Sequence, residues 1–382
     1  MTTQMNQALP ELNPSPRLLL GPGPSSVHPR VLRAMSTPLL GYLDPEFVTM
    51  LGETQDLLRQ VFQTENTLTL PVSGTGMAGM ETVLSNLLEP SDQMLVCAAG
   101  FFGNRLEEVA LRLGAQVAKV EKPWGEVFSP DEVEAALSAH PAKVLAIVHA
   151  ETSTGALQPL EGLGEIAHRA GALLLVDCVT SLGGVSIQLD AWGIDATYSG
   201  TQKCLGCPPG LSPVSLSERA RDTIRSRRAK PSSWYFDIEL LYKYWGPEHV
   251  YHHTVSGTLV YALREGLRLV AEEGLEARFA RHAANAEYLC RGLAELDLAP
   301  FVPPDHRLPT LITVRVPEGV DEAAVRTRLR QDYHIEIGAG LGPLKGKVWR
   351  VGLMGYSSQR ENVTLLLGAL GEILQEVGGG KQ

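Results

Sequence analysis

The chain has 382 residues, well above the roughly 150 of one domain, so two packed units are expected. Hydrophobic residues make up 44% and charged residues 20%, and the formal net charge of -10 argues against nucleic acid or anionic lipid as a partner. No run approaches the roughly 20 apolar residues of a membrane span, and the first sixteen residues lack the basic start and apolar centre of a secretory leader. Cys97, Cys178, Cys204, Cys207 and Cys290 are too sparse for a disulfide framework and suit reduced thiols in a cytoplasmic protein.

Along the chain, Thr67–Val72 is an apolar run, and a glycine-rich turn then opens a helix over Met77–Leu88. Met94–Ala98 is a buried strand, Asn104–Leu113 a helix, Val117–Val120 a strand and Pro130–Ser138 a helix. Val144–Val148 is a strong buried strand, Leu163–Ala170 a helix, and Leu173–Val176 a buried strand ended by Asp177. Ala196–Tyr198 and Pro213–Leu216 carry weaker strand signals. This alternation predicts an α/β fold, a mostly parallel sheet covered by helices on both faces. The basic patch Arg225, Arg227, Arg228 and Lys230 reads as a solvated helix end.

The texture changes from about residue 255. Val255–Glu273 and Leu275–Leu296 read as long helices. A strand at Leu311–Val316, a helix at Asp321–Leu329, a strand at Val348–Val351 and a last helix at Glu361–Val377 follow. The chain thus divides into an N-terminal arm over 1–16, a large unit over 17–273 and a smaller α+β unit over 274–382. The final Gly378 to Gln382 reads as a frayed tail.

Nine lysines are present, and eight of them sit at element ends, in loops or in the tail. Lys203 differs. It follows a strand in Tyr198-Ser-Gly-Thr-Gln-Lys-Cys, among small and hydroxyl residues without a neighbouring charge. A desolvated lysine loses proton affinity and becomes nucleophilic toward a carbonyl. A surface loop lysine is the competing reading. Asp177 weighs against that, because it ends an apolar strand at the carboxyl edge of the sheet, where open α/β sheets bind ligands. A buried carboxylate there needs a partner, and a protonated pyridine nitrogen would serve. A helix cap or structural acid is the alternative for Asp177. The Ser73-Gly-Thr-Gly turn can offer backbone amides and a helix N-terminus to a phosphate. It lacks the Lys-Ser/Thr of a P-loop. Cys204 and Cys207 form one C-x-x-C without a second pair, and no metal site is expected.

Several blocks together carry a resemblance. They are Leu18-Leu-Leu-Gly-Pro-Gly-Pro-Ser-Ser, Ser73-Gly-Thr-Gly, Phe102-Gly-Asn-Arg, Glu151-Thr-Ser-Thr-Gly, Val176-Asp-Cys-Val-Thr-Ser-Leu-Gly-Gly, Ser199-Gly-Thr-Gln-Lys, Tyr251-His-His-Thr and Gly340-Leu-Gly-Pro with Trp349-Arg-Val-Gly-Leu-Met-Gly. In this order they resemble the class V aminotransferases, most closely the alanine–glyoxylate and serine–pyruvate types. The resemblance implies fold type I, with a mostly parallel seven-stranded sheet in the large domain, and pyridoxal 5′-phosphate as cofactor.

It also implies roles. Lys203 forms the internal aldimine and moves the proton. Asp177 pairs with the ring nitrogen, and Phe102 stacks on the ring. Thr75, Gly76, Met77 and Gln202 hold the phosphate, and Thr152 lies near the ring hydroxyl. Tyr251 and Thr254 reach the cofactor of the neighbouring subunit in a homodimer. Arg350 clamps the substrate carboxylate, and Gly41 and Tyr42 shape a small pocket. Some relatives carry Trp where Phe102 stands and His where Met77 stands.

The implied reaction is ping-pong transfer from L-alanine, or L-serine, to glyoxylate or another small 2-oxo acid. The alternatives are another donor (ureidoglycine, an aminophosphonate or phosphoserine), a Cβ-cleaving enzyme such as a cysteine desulfurase, and a noncatalytic cofactor-binding protein. His252 and His253 are expected to be structural and to point apart, as neighbours on a regular element do. His149 ends a buried strand and either lines the site or packs the core. Trp234, Tyr235, Tyr244 and Trp245 read as core or dimer packing.

Overall fold

The structure is a computed structural model, and it describes residues 11–379. The first ten residues of the expected arm, and Lys381 in the tail, lie outside the described residues. A short strand β1 (Leu18–Leu19) is followed by helices α1 (Pro29–Met35) and α2 (Pro45–Phe62). Then come β2 (Leu68–Ser73), α3 (Gly76–Leu87), β3 (Gln93–Ala98), α4 (Phe101–Arg112), β4 (Gln116–Glu121), α5 (Pro130–Ala139) and β5 (Val144–Val148). A small ribbon of β6 (Ala150–Glu151) and β7 (Ala156–Leu157) precedes α6 (Leu163–Arg169), β8 (Leu173–Asp177), β9 (Ala196–Tyr198) and β10 (Leu211–Leu216).

The large sheet has seven strands in the order β2-β10-β9-β8-β5-β3-β4. Only β10 runs antiparallel to its neighbours. Its centre is apolar because it is covered on both faces. The five residues of β5 and the five of β8 are all buried. The register sets Asp177 beside Val148 on one side and Tyr198 on the other. The mostly parallel sheet expected from the strand–helix alternation is the one observed.

Helices α7 (Glu218–Arg225), α8 (Ile238–Trp245), α9 (Gly257–Glu273) and α10 (Leu275–Glu295) come next. The remainder is β11 (Leu311–Arg315), α11 (Glu322–Asp332), β12 (Ile335–Glu336), β13 (Gly338–Ala339), β14 (Val348–Gly352) and α12 (Arg360–Gly379). The last helix therefore runs beyond the expected Val377 into the glycines read as tail. Helices α1, α2 and α8 have no counterpart in the sequence reading, and of α7 only the end at Arg225 was expected. Local signals for α2 were present: Asp44 accepts from the Glu46 amide, and Pro45 occupies the first turn. The basic patch is only partly a solvated helix end. Arg227 donates to the Asn86 and Leu88 carbonyls, each at 2.7 Å, and so closes the end of α3.

Two large apolar clusters organise the chain, and a third, smaller one packs Ala150, Val185 and Cys204 against Leu308, Leu311 and Met354. Of the large ones, one draws on residues from Val31 to Val270. The other joins Leu20 to residues between Ala286 and Ile373. Leu20 belongs there because β1 pairs in parallel with β12 and the Gly352 amide donates to the Leu20 carbonyl at 2.8 Å. Arg278 on α10 bonds to segments distant in sequence. Its guanidinium donates to the carbonyls of Gly183 (2.8 Å) and Cys204 (2.5 Å) and to Glu273 (2.7 Å).

A side chain at Gly352 would place a Cβ 1.9 Å from the Gly21 carbonyl oxygen, and backbone cannot swing aside. Gly352→Ala is expected to cost about 1–3 kcal/mol, the usual range for overpacking, read as a lower denaturation midpoint.

Candidate active site

Asp177 ends β8 and is 2% exposed. Its Oδ1 accepts from the Val179 amide at 2.9 Å and its Oδ2 from the Tyr198 hydroxyl at 2.7 Å. Burial pushes the carboxyl up to about 6, against the pull of these two donors. No cation is among its hydrogen-bond partners. Each oxygen keeps a lone pair, so the carboxylate can still receive a protonated ring nitrogen.

Lys203 lies in the loop between β9 and β10, and its amine donates to the Pro22 carbonyl. Burial, and then the charge of Arg350, pull the amine down to about 8. A much larger share is therefore uncharged near neutrality than for an ordinary lysine. Gly23 makes room for it: a Cβ there would stand 2.9 Å from Lys203 Cδ and 3.0 Å from Nζ, and its φ of +113° also favours glycine.

Arg350 lies on β14 and is 7% exposed. Nε donates to the Ala339 carbonyl at 2.6 Å and Nη1 to the Thr152 carbonyl at 3.1 Å. The other Nη remains available for a carboxylate. Burial lowers this group to about 10. Thr152 is buried, and its hydroxyl bonds to no protein group. Phe102 sits in the first turn of α4, its ring edge-to-face with Phe101 at 5.4 Å.

The turn before α3 is an open cradle. Thr75 caps the helix without a side-chain bond. Among the described residues the amides of Thr75, Gly76 and Met77 donate to no acceptor, whereas those of Gly74 and Ala78 do. Unpaired amides at a helix N-terminus are what a phosphate requires. The cradle abuts the other groups, since a Cβ at Gly76 would lie 3.2 Å from Val179 and 3.7 Å from the Ser199 carbonyl. Gln202 folds over Gly200, and its buried Oε1 has no partner.

The structure thus brings Lys203, Asp177, Arg350, Thr152, Phe102, Gln202 and the 75–77 turn to the carboxyl edge of the sheet. Tyr42, Tyr251 and Thr254 form a separate, exposed group. The two tyrosine rings lie 4.9 Å apart, and the Tyr251 hydroxyl is 3.2 Å from that of Thr254. Among the described residues they make no hydrogen bond to Lys203, Asp177 or Arg350. A Cβ at Gly41 would meet nothing within 4 Å.

Two expectations are corrected or refined. His252 and His253 do not point apart. They lie on an irregular segment, which frees them from strand or helix geometry, and their Nδ1 atoms are 2.8 Å apart. His253 continues to Ser73 Oγ at 2.7 Å, beside the cradle. His149 packs edge-on to Trp192 and its amide bonds the Asp177 carbonyl, so it supports the strand end. The sequence reading gave no role to Tyr198 or Glu151. Tyr198 sits in register with Asp177, and a strand alignment could have found it. Glu151 stands within a quoted block, but nothing local shows where its carboxylate goes.

Three comparisons bear on this geometry. The family model "Aminotransferase class-V" matches residues 19–366. Alanine–glyoxylate aminotransferase of Rattus norvegicus is 47% identical over 363 residues, covering 94% of this chain and 88% of the relative. (S)-ureidoglycine–glyoxylate transaminase of Bacillus subtilis (strain 168) is 42% identical over 376 residues, covering 94% and 90%. The crystal structure of alanine–glyoxylate aminotransferase from Nostoc sp. superposes with a TM-score of 0.96 at 54% identity, covering 97% of this chain and 98% of that one. The chain belongs to the class V aminotransferases and is a pyridoxal 5′-phosphate-dependent enzyme.

The residues fit that cofactor. Unpaired amides face a phosphate position, the buried Asp177 lacks a cation, and Lys203 is partly uncharged. Because Arg350 helps depress Lys203, Arg350→Gln should raise the titration midpoint of Lys203 in the apoprotein. NMR of ¹³C-dimethylated lysines would measure it, and an unmoved Lys203 resonance would refute the electrostatic link.

Proposed function

We propose that the enzyme transfers the amino group of a small amino acid, L-alanine foremost and L-serine next, to glyoxylate or another small 2-oxo acid in a ping-pong cycle. The observation that carries this reading is the placement of Lys203 beside the buried Asp177, the buried Arg350 and the open amides of the 75–77 turn, with burial first and Arg350 second lowering the lysine's proton affinity. Bound cofactor supplies an electron-withdrawing ring. Lys203 would hold it and, as a free amine, would carry the proton from the substrate Cα to the cofactor's C4′ in one half-reaction and back in the other. Asp177 holds a proton at the ring nitrogen. Thr75, Gly76, Met77 and Gln202 bind the phosphate, Phe102 covers one ring face and Thr152 meets the ring hydroxyl. Arg350 grips the carboxylate that donor and acceptor share, which lets one site serve both half-reactions.

Glyoxylate as acceptor is supported by the names of all three relatives. The donor is less constrained, and the 42% identical B. subtilis relative supports ureidoglycine as a second reading. Cβ cleavage by a cysteine is disfavoured because Cys97, Cys178, Cys204 and Cys207 are buried and Cys290 partly so. Burial pushes their thiols up, that of Cys204 to about 11.

The same reading makes the enzyme a cytoplasmic homodimer. Tyr251 and Thr254 would serve the partner's cofactor, while Gly41 and Tyr42 shape the pocket. An exposed apolar patch supports this: Leu39 (67% exposed), Trp234 (61%), Val250 (51%) and Tyr251 (50%), with Tyr42 and Leu43. The division into an arm over 1–16, a large unit over 17–273 and a small unit over 274–382 is supported, for the two larger parts, by the two large apolar clusters, with Leu20 crossing over and the smaller cluster bridging them. No helix among the described residues is long and apolar enough to cross a membrane.

The visible band of the holoenzyme should bleach with L-alanine and return with glyoxylate. Bleaching with ureidoglycine alone would transfer the assignment to the second reading. Lys203→Ala should lose both responses, and wild-type turnover in that variant would sink the proposal. Arg350→Gln should raise KM by about 10–100-fold, the factor for a lost hydrogen bond to a charged group.

A further inference from the structure

Glu151 is 5% exposed and lies in the β6 strand beside the site. Its Oε1 accepts from the Ser153 amide at 3.0 Å and the Ser153 hydroxyl at 2.6 Å. Its Oε2 accepts from the Phe102 amide at 3.0 Å, and the Gly103 amide also points at the carboxylate. Burial pushes this carboxyl up and the four donors pull it back. An ionised carboxylate is acceptor-only, so it satisfies all four together.

Two of those donors are orphan amides at the start of α4. The N-cap position is Gly100, which has no side chain to offer them. Gly100 is small for want of space. Its φ is 179°, ordinary extended backbone, but a Cβ there would stand 2.3 Å from Glu151 Cγ. Glu151 therefore enters from another element and does the work of the missing cap. The negative charge also suits the positive end of the helix. The Ser153 hydroxyl extends the arrangement by accepting from the Phe101 amide at 3.0 Å. The next residue in the chain, Thr152, holds Arg350 through its carbonyl.

We propose that Glu151 is a positioning residue that fixes the first turn of α4, and with it the Phe102 ring, against the turn carrying Thr152 and its bonded Arg350. This rests on the reading of Phe102 as the residue that covers the cofactor ring. Glutamine in its place keeps the shape but turns an NH₂ toward a backbone amide, so donor would face donor. The first turn then shifts or frays, and the ring loses its fixed distance from the Thr152 hydroxyl.

The test is a double-mutant cycle on cofactor affinity, with pyridoxal 5′-phosphate titrated into apoenzyme and visible circular dichroism recorded on the loaded forms. Glu151→Gln is expected to weaken binding about tenfold, the factor for one lost hydrogen bond to a charged group, and to change the dichroic band. On a Phe102→Ala background, the same substitution should add less than about twofold, because both act through the ring. Ser153→Ala keeps the acid and should move in the same direction by about threefold, which preserves the test if Glu151→Gln folds poorly. Wild-type affinity and dichroism in Glu151→Gln would overturn the proposal. An equal loss on both backgrounds would overturn it too, since Glu151 would then act elsewhere. If Phe102→Ala alone leaves affinity unchanged, the role given to Phe102 fails first and the proposal falls with it, an outcome distinct from the other two.

Discussion

A carboxylate buried at the end of a central strand is costly unless something holds it ionised, and the site is arranged around meeting that cost for Asp177. The Val179 amide and the Tyr198 hydroxyl each occupy one oxygen. They stabilise the anion without neutralising it, so a demand for a cation persists. The parallel pairing of β8 with β9 is what delivers Tyr198, because register alone sets it opposite Asp177. In the function proposed above, the ring nitrogen of the cofactor would meet that demand, and strand register would thereby contribute to cofactor binding.

Opposite charges are distributed with the same economy. Arg350 is buried beside the half-buried Lys203, and its charge adds to desolvation in lowering the proton affinity of the lysine. Arg350 retains its charge because guanidinium gives up a proton only at high pH. Lys203 is the member that yields. Glu151 and Asp177 supply the counterweight, one fully engaged by donors and the other left open. The polarity of the site follows from burial acting on four groups of unequal proton affinity.

Much of this was legible in the sequence, for physical reasons. Strands buried on both faces write themselves as unbroken apolar runs, so Val144–Val148 and Leu173–Asp177 were found nearly to the residue. Lys203 and Asp177 stood out because each follows a strand and lacks a local explanation. The turn before α3 was visible through its glycines. What stayed hidden depends on contacts distant in sequence. Glu151 caps a helix that starts fifty residues earlier, and the helix itself carries no trace of it. Tyr198 looks like any apolar strand residue until its neighbour is known. His252 and His253 were misread because a rule for regular elements was applied to an irregular segment. Helix α2 was missed although Asp44 and Pro45 announce it, since its apolar face is interrupted by Thr54 and Gln55, both buried.

Arg278 ties α10 to two loops of the site. Its guanidinium rides on α10, yet it grips the carbonyl of Cys204, the residue joined to Lys203 by a peptide bond. It also grips the carbonyl of Gly183 in the loop beyond Asp177. A displacement of α10 would pull on both at once. The lysine and the loop that follows the carboxylate are thus tethered to one side chain, and any displacement of α10 would reach both through the backbone.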